Sequence, residues 1–400
     1  MTAVVPGGAP SEPRWADGLR AALAHHWHPV CREDDLPGPV PVRLLGRDLA
    51  IAHVDDGAGG SRVVALADRC PHRSTRLSVG VVDGGCVRCA YHGWAFDPGG
   101  RCVDIPSMPD GPIPARAAVE SFDAAVEHGL VWVRLDDTVD TPLPACPALD
   151  DVEMKVLAGE PYTWPVAAPR RVENFVDLAH FAFVHDGSLG RRDEPVPPLP
   201  AIRRWTGDHD GDLVVSDGDG DGDRCDRRVG AELRFDYDPP GYPDDPDDNA
   251  MLAASAYRMP MPCAVDIAFA YPDGRRRRLW MAASPVDDAT CRTFWYIGRT
   301  DDLVGDDRTH LAFQDRVLAE DEPVVTNQVP PEMLLDQGAE LSVRTDRVSI
   351  EYRRWLRELA TAALAGPEAY AAALGVTAPR DGATRATGPA DRLAGHAATG

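Results

Sequence analysis

The sequence predicts an α+β chain of two domains, an all-β domain followed by a larger domain in which an antiparallel sheet is flanked by helices. Between residues 40 and 135, short runs rich in β-branched residues alternate with Gly, Pro and Asp turns. After a Pro-containing connector at 141–149, longer strand-like segments precede two helical stretches. With 400 residues and 44% hydrophobic content, the chain is long enough for more than one hydrophobic core.

The domain boundaries follow changes in composition along the chain. We place the first domain at 20–140, the second at 145–365, and disordered low-complexity tails at 1–14 and 377–400. The strands predicted in the first domain are 42–45, 63–66, 86–88 and 130–133. Those predicted in the second domain are 251–259, 264–271, 277–283 and 292–298, and its helical stretches are 303–322 and 346–365.

Charge and cysteine usage exclude several classes of function. Lys and Arg number 41 against 64 Asp and Glu, a formal charge of −23, so nucleic acids and anionic membranes would be repelled. The N-terminus lacks the pattern of a signal peptide and no apolar run reaches the roughly 20 residues of a membrane helix, so we expect a cytoplasmic protein. Nine scattered cysteines favour a metal site among a subset of them over a disulfide framework.

Two charged segments have an ordinary and a functional interpretation. The alternating Asp and Gly at 217–223 begin like a calcium loop, but Arg228 stands at the twelfth position, where a bidentate Glu is needed. A solvated acidic loop is therefore the prediction. The four arginines at 275–278 follow a turn signal and are either a solvated hairpin tip or a patch for an acidic redox partner.

The first chemical motif combines two cysteines and two histidines. Cys70 and His72 form C-x-H, and after sixteen further residues Cys89 and His92 form C-x2-H. Zinc sites usually pair Cys with Cys and His with His, whereas here each loop supplies one of each. That division suits a [2Fe–2S] cluster with both cysteines on one iron and both histidines on the other. Cys86, three residues before Cys89, is interpreted as a structural thiol.

The residues around these ligands, Cys-Pro-His-Arg at 70–73 and Cys-Ala-Tyr-His-Gly-Trp at 89–94, resemble the Rieske signature. This resemblance implies a Rieske [2Fe–2S] cofactor with a potential of about −150 to +300 mV, compared with about −400 mV for plant-type clusters. Such a cluster accepts electrons from a ferredoxin or a flavin reductase.

A second motif lies about eighty residues downstream. Asn174, Asp177, His180 and His185 form N-x2-D-x2-H-x4-H, which resembles the catalytic domain of Rieske oxygenases and implies a mononuclear Fe(II) held by two histidines and a carboxylate. On a regular helix Asp177 and His180 share a face, but the two histidines point about 140° apart. We therefore predict that the helix bulges, as a π-type distortion, or ends between them.

The carboxylate ligand must come from further along the chain. Glu320 and Asp321, followed by Val324 and Val325, resemble the E-D-x-x-(V/I)-(V/I) setting of the vanillate O-demethylase-like branch. This resemblance implies Asp321 as the iron ligand, with Asp315 and Glu320 as alternatives.

Taken together, the resemblance implies the terminal oxygenase component of a Rieske non-haem iron oxygenase, which hydroxylates or oxidatively demethylates an aromatic or polycyclic small molecule with O2. It also implies a head-to-tail homotrimer in which Asp177 bridges His180 and His92 of a neighbouring subunit. Because the chain lacks a GxGxxG unit and a plant-type cluster motif, NAD(P)H would act only through a separate reductase or ferredoxin. Tyr257, Phe269 and Trp280 are either pocket or core residues.

Two other functions remain as alternatives. The branch resemblance favours a monooxygenase or demethylase over a cis-dihydroxylating dioxygenase of the same family. A non-catalytic Rieske electron carrier would need only the first domain, so the second motif and the length of the second domain argue against it.

Overall fold

A computed structural model describes residues 15–197, 199–205, 232–237, 254–301, 303–336 and 338–376. The acidic segment at 217–223 and the two terminal tails lie outside these residues, so the interpretations given for them stay predictions. Among the described helices, none has both the length and the apolar character that a membrane crossing requires.

The first domain is built from strands, as the turn pattern predicts. Its elements, after helix α1 (Trp15–Ala24), are β1 (His28–Arg32), β2 (Val40–Leu44), β3 (Arg47–Asp55), β4 (Ser61–Ala67), β5 (Val81–Asp83), β6 (Cys86–Arg88), β7 (Ala95–Phe96), β8 (Cys102–Asp104), β9 (Ser121–Glu127) and β10 (Leu130–Arg134). They form an antiparallel sheet of order β1-β10-β9-β4-β3-β2 and a smaller sheet of order β5-β6-β7-β8. A compact core between the two sheets, which includes Leu66, Val87 and Phe96, supports the loops that follow β4 and β6.

The second domain contains the predicted sheet and helices. Its elements are α2 (Pro147–Asp150), β11 (Lys155–Ala158), β12 (Tyr162–Trp164), α3 (Ala168–Val176), α4 (Phe181–Val184), β13 (Ile202–Trp205), β14 (Glu232–Tyr237), β15 (Ala254–Met261), β16 (Ala264–Ala270), β17 (Arg276–Asp287), β18 (Thr290–Arg299), α5 (Asp307–Val325), α6 (Arg347–Ala365) and α7 (Pro367–Leu374). The sheet is antiparallel, of order β11-β18-β17-β16-β15-β14-β13, with β12 also paired to β18. The α+β prediction is confirmed.

Helix α6 shows why the helices cover this sheet. Its buried residues Val348, Tyr352, Trp355 and Leu359 recur every three or four positions and therefore lie on one face. Helix α1 packs against α6 so closely that a Cβ at Gly18 would meet the Ala360 carbonyl oxygen at 2.8 Å. The N-terminal helix therefore belongs to the packing of the second domain.

The two domains share one hydrophobic core. Trp132 of β10 and Trp280 of β17 meet edge to face with ring centroids 6.0 Å apart, and the Trp280 indole donates to the Ala145 carbonyl at 3.1 Å. The backbone N–H of Leu45 donates to the Pro285 carbonyl at 2.8 Å. These contacts fix the first domain against the second and place Trp280 in the core.

A tight turn at 271–275 connects β16 to β17, so Arg275 closes the turn and the other three arginines, 276–278, begin β17. Each guanidinium has a carboxylate partner within its own chain: Arg275 with Asp273, Arg276 with Asp151, Arg277 with Asp301, and Arg278 with Asp266. Because each of these charges is compensated within the chain, the structure argues against a docking patch. The hairpin is present, but it is not a fully solvated tip, since Arg278 is buried.

A buried histidine at the start of β1 predicts acid sensitivity. His28 is completely buried, its Nε2 lies 2.8 Å from the Leu23 carbonyl, and burial lowers its pKa from 6.5 to about 4. A group of this kind stabilises the fold fully above pH 6.5 and loses that contribution as the pH falls through about 4. The free energy of unfolding falls by about 3 kcal/mol in total. We expect the melting temperature to fall more between pH 7 and pH 5 in the wild type than in His28→Gln, whose amide retains the donor; equal slopes would contradict this.

Candidate metal centres

Two similar loops of the first domain carry the Cys and His motif. In the first, the Cys70 N–H donates to the Thr75 carbonyl at 2.8 Å; in the second, the Cys89 N–H donates to the Trp94 carbonyl at 2.9 Å. Gly93 has a φ of +72°, a left-handed conformation that glycine adopts without strain and that lets the second loop turn back. Each loop therefore holds one cysteine and one histidine close together.

The loops bring all four predicted cluster residues together. Cys70 and Cys89 are each 2% exposed, and their thiols are hydrogen-bonding neighbours. The rings of His72 and His92 lie at the outer side, with centroids 4.4 Å apart. His72 stacks in parallel on Trp94 at 4.7 Å. The cysteines therefore form the inner half of the site and the histidines the outer half.

This arrangement fits a [2Fe–2S] cluster on two observations. The Nδ1 atom of His72 is buried without a hydrogen-bond partner, although a buried imidazole nitrogen normally has one. Burial, followed by the neighbouring Cys89, raises the pKa of the Cys70 thiol, so two thiolates at this place need a cation to compensate them. A cluster with an inner thiolate iron and an outer imidazole iron satisfies both groups.

The second motif lies where the backbone leaves helix α3. This helix ends at Val176, and Asp177 is extended with a ψ of 124°. His180 precedes the short helix α4 and His185 follows it. The predicted interruption of the helix is present, but it lies ahead of both histidines: α3 ends at Val176, and the short helix α4 occupies the interval between His180 and His185. The two histidines are not separated by a π-type bulge. The prediction that Asp177 and His180 share a helix face was wrong, because the helix already ends before Asp177.

The break brings two histidines to one carboxylate. Asp321 Oδ1 lies 3.4 Å from His180 Nε2 and 3.2 Å from His185 Nε2, and the potential donor atoms of the three residues lie within 4.8 Å of one another. All three side chains are largely buried. Two imidazoles and one carboxylate converging in this way fit a divalent iron with open coordination positions.

The groups around Asp321 keep its carboxyl group ionised, the form that binds a cation. Burial opposes its ionisation, but hydrogen bonds from His180 and His185 and the charge of Arg171 hold its pKa well below the usual range. Burial likewise opposes protonation of His180, yet Asp177 and Asp321 raise the pKa of His180 to about 9. A bound metal takes the place of that proton, so metal binding at this site releases protons.

The other sequence candidates for the carboxylate lie elsewhere. Asp315 is exposed to solvent. Glu320 contacts His185 at the ring nitrogen that faces away from Asp321, with its Oε2 atom 2.8 Å from His185 Nδ1. The structure thus brings Asp321, and neither alternative, to the metal-facing nitrogens. Asp177 lies behind His180, with Oδ2 3.5 Å from His180 Nδ1, and is partly exposed.

Sequence reasoning missed a buried cation behind this site. Arg171 is fully buried, donates to the Tyr162 hydroxyl at 2.8 Å and also to Asn174. Asn174 in turn donates to Asp321 Oδ1 at 3.2 Å, and the guanidinium itself lies 3.8 Å from Asp321 Oδ2. The guanidinium is packed over Trp164 at 4.8 Å. Its spacing from Asn174, three positions on one helix face, was the available signal.

A cavity of about 140 Å³ opens onto the two histidines and Asp321. Its walls are mostly apolar, and they include the predicted candidates Tyr257 and Phe269, but not Trp280. The buried amide of Gln314 also faces the cavity. A partly open, mostly apolar cavity beside a metal site suits an aromatic substrate held by a few polar groups.

Two family models match the chain. A Rieske [2Fe–2S] domain matches residues 26–123, and the C-terminal domain of the vanillate O-demethylase oxygenase matches 164–362. The methylxanthine N1-demethylase NdmA of Pseudomonas putida is 37% identical over 366 residues, which cover 89% of this chain and 94% of that protein. The chain belongs to the Rieske non-haem iron oxygenases. This Rieske oxygenase therefore carries a Rieske [2Fe–2S] cluster and a mononuclear iron and acts as an oxidoreductase.

Further comparisons agree with the assignment of this Rieske oxygenase to its family. The methylxanthine N3-demethylase NdmB of P. putida is 38% identical over 361 residues, covering 87% of this chain and 92% of that protein. The structure of P. putida NdmA with caffeine superposes with a TM-score of 0.74 and 33% identity, covering 92% of this chain and 100% of the other. The P. putida oxidoreductase NdmD is 35% identical over 133 residues, 32% of this chain and 21% of that protein.

Proposed function

We propose that this protein is the terminal oxygenase of an N-demethylating system whose substrate is a planar heteroaromatic molecule of the methylxanthine type. The observation that carries the proposal is the cavity beside His180, His185 and Asp321, in a chain that matches two methylxanthine demethylases over most of its length. The two relatives act at different ring nitrogens and are almost equally similar to this chain, so the proposal extends to the class of substrate and leaves the position open.

The lining of the cavity supports a flat ring with a few hydrogen-bonding groups. Phe175, Phe181, Phe269 and Phe313 contribute aromatic walls, which favour offset or edge-to-face contact with a ring. The amide of Gln314 offers both a donor and an acceptor. This combination binds a heteroaromatic ring and fixes its rotation, so that one methyl group faces the metal.

We assign the metal ligands as follows. Cys70 and Cys89 bind one iron of the cluster, and His72 and His92 bind the other. The mononuclear iron is bound by a separate set of residues, His180, His185 and Asp321. These assignments rest on the orphaned nitrogen of His72 and on the convergence of the second set within 4.8 Å.

The chemistry divides between the metals and the chain. Iron held by His180, His185 and Asp321 would supply the chemistry of O2 activation, with electrons delivered through the Rieske cluster, so that the substrate methyl group would be hydroxylated and leave as formaldehyde. The chain holds Asp321 ionised through Asn174 and Arg171. The aromatic walls exclude water and hold the substrate ring in place.

We further propose a head-to-tail trimer in which Asp177 links the two metals of neighbouring subunits. Within the described part of one chain, Asp177 contacts His180 and Ala179 but not His92, whose ring is exposed beside Tyr91, itself 62% exposed. On the catalytic side, Phe183 is 56% exposed close to Asp177 in the chain. Exposed aromatic residues at both ends suit a contact between copies.

Electrons must reach the Rieske cluster from a separate protein. The chain is similar over 133 residues to the oxidoreductase NdmD, a relative that supports the existence of a reductase partner. We propose that a reductase of this kind, using NAD(P)H, reduces the cluster.

The test is turnover of a panel of methylxanthines with a reductase, NADH and O2. We expect one formaldehyde for each methyl group removed, with no product from His180→Ala. A cis-diol without formaldehyde would instead establish a dihydroxylating dioxygenase. Reduction of the cluster without oxidation of any aromatic compound would favour an electron carrier.

A further inference from the structure

The outer nitrogen of His185 has an unusually well defined environment. His185 is 1% exposed, with its Nε2 directed at Asp321 and its Nδ1 2.8 Å from Glu320 Oε2. The hydroxyl of Ser188 donates to the same Glu320 oxygen at 2.7 Å. A buried imidazole held at both nitrogens cannot rotate without losing a hydrogen bond.

We propose that Glu320 is a positioning residue for the mononuclear iron, acting through His185. A neutral imidazole carries its proton on one nitrogen only, and the hydrogen bond at the outer nitrogen decides which. Because the Glu320 carboxylate accepts from Nδ1–H, the lone pair of Nε2 is directed at the metal. The same hydrogen bond increases the donor strength of the ring. This inference rests on the proposed assignment of His185 as an iron ligand.

The position of Glu320 on helix α5 explains how one helix serves both nitrogens. Adjacent residues of a helix point about 100° apart, so Asp321 faces the inner nitrogen of His185 while Glu320 reaches its outer nitrogen. Any movement of α5 therefore moves the carboxylate ligand and the support of the histidine ligand together.

Ser188 completes the arrangement from the other side. It is 3% exposed, and its backbone N–H donates to the His185 carbonyl at 3.0 Å. Its hydroxyl holds the Glu320 oxygen in place. By contrast, Arg316 lies 3.9 Å from the second Glu320 oxygen and is half exposed, a contact that contributes little in solvent.

The two histidine ligands are supported unequally. The carboxylate behind His180 is Asp177, at 3.5 Å and on a different segment from Asp321, whereas Glu320 is at hydrogen-bonding distance and adjacent to Asp321. Glu320 therefore fixes the geometry of the iron site, and Asp177 is left for its proposed contact with a neighbouring subunit.

The experiment compares Glu320→Ala and Glu320→Gln with Glu322→Ala, an exposed glutamate on the same helix. The measurements are the Fe(II) dissociation constant of the mononuclear site, with the Rieske cluster intact, and the EPR spectrum of the nitric oxide adduct of that iron. We expect Glu320→Ala to weaken Fe(II) binding by about 10- to 100-fold and to change the rhombicity of the adduct. Glu320→Gln, which keeps a hydrogen-bond acceptor, should lose less Fe(II) affinity. Glu322→Ala should match the wild type in both Fe(II) affinity and adduct spectrum.

Wild-type Fe(II) affinity and an unchanged adduct spectrum in Glu320→Ala would overturn the inference. An equal loss in Glu322→Ala would also overturn it, because the effect would then come from the helix in general. If Glu320→Ala loses iron as completely as Asp321→Ala, Glu320 is a ligand and its positioning role is wrong. Retention of iron by His185→Ala defeats the proposed site itself, which distinguishes that failure from failure of this inference.

Discussion

Asp321→Ala is expected to lose the mononuclear iron and all turnover while the Rieske cluster remains intact. Among the described residues, Asp321 supplies the carboxylate that approaches both His180 and His185, and its removal leaves two neutral imidazoles facing an open cavity. Two neutral ligands without a carboxylate bind Fe(II) poorly. The measurement is the iron content per chain, which should fall from about three to about two, together with the EPR spectrum of the reduced cluster.

Asp315→Ala is the matched control for this prediction. Asp315 lies on the same helix, six residues before Asp321, and is exposed to solvent. We expect its iron content and turnover to equal those of the wild type. Loss of iron in Asp315→Ala, or full activity in Asp321→Ala, would show that the carboxylate ligand has been assigned to the wrong residue.

Asp177→Asn is expected to retain both metals but to stop electrons from passing between them. Asp177 stands behind His180 and is partly exposed, at the place where the proposed trimer brings another subunit's cluster. An asparagine occupies the same space without the charge, so the fold and the iron site should survive. We expect turnover to fall by about 10- to 100-fold. In a single-turnover experiment with substrate and O2, the prereduced cluster should stay reduced.

Asp186→Asn provides the comparison for the bridging role. Asp186 is exposed, follows His185 directly in the sequence, and is paired with Arg192 rather than with a proposed ligand. The cluster of the Asp186→Asn variant should be reoxidised at the wild-type rate. The bridging role would be wrong if the cluster of Asp177→Asn reoxidised as fast as that of Asp186→Asn, or if the native protein were a monomer in solution.

Local chemistry made much of the fold and site predictable. The cluster motif needs only short loops after strands, so the residues at 70–72 and 89–92 could be identified from spacing and residue type. The strands at 86–88 and 264–270 were predicted to within one residue because their alternation and flanking turns are local signals. The choice of Asp321 depended on family resemblance, and the structure then placed it beside both histidines.

Long-range contacts account for what sequence reasoning missed. The break at Asp177 is not visible in helix propensity, which is a weak local signal that tertiary contacts can override. Arg171 resembles an ordinary helix charge until Tyr162, Trp164 and Phe175 surround it. The second domain continues past its predicted end at residue 365 as helix α7. Tyr370 of this helix is fully buried, and its hydroxyl lies 2.9 Å from Nε2 of His26, a contact between distant parts of the sequence.

The two proposed metal sites are tested most directly by metal analysis with low-temperature EPR on the anaerobically purified, dithionite-reduced wild-type protein. We expect about three irons per chain, a reduced-Rieske signal from the site of Cys70, His72, Cys89 and His92, and an EPR-active nitric oxide adduct of the third iron. Zinc in place of the cluster, or a Rieske signal with only two irons per chain and no such adduct, would contradict this expectation.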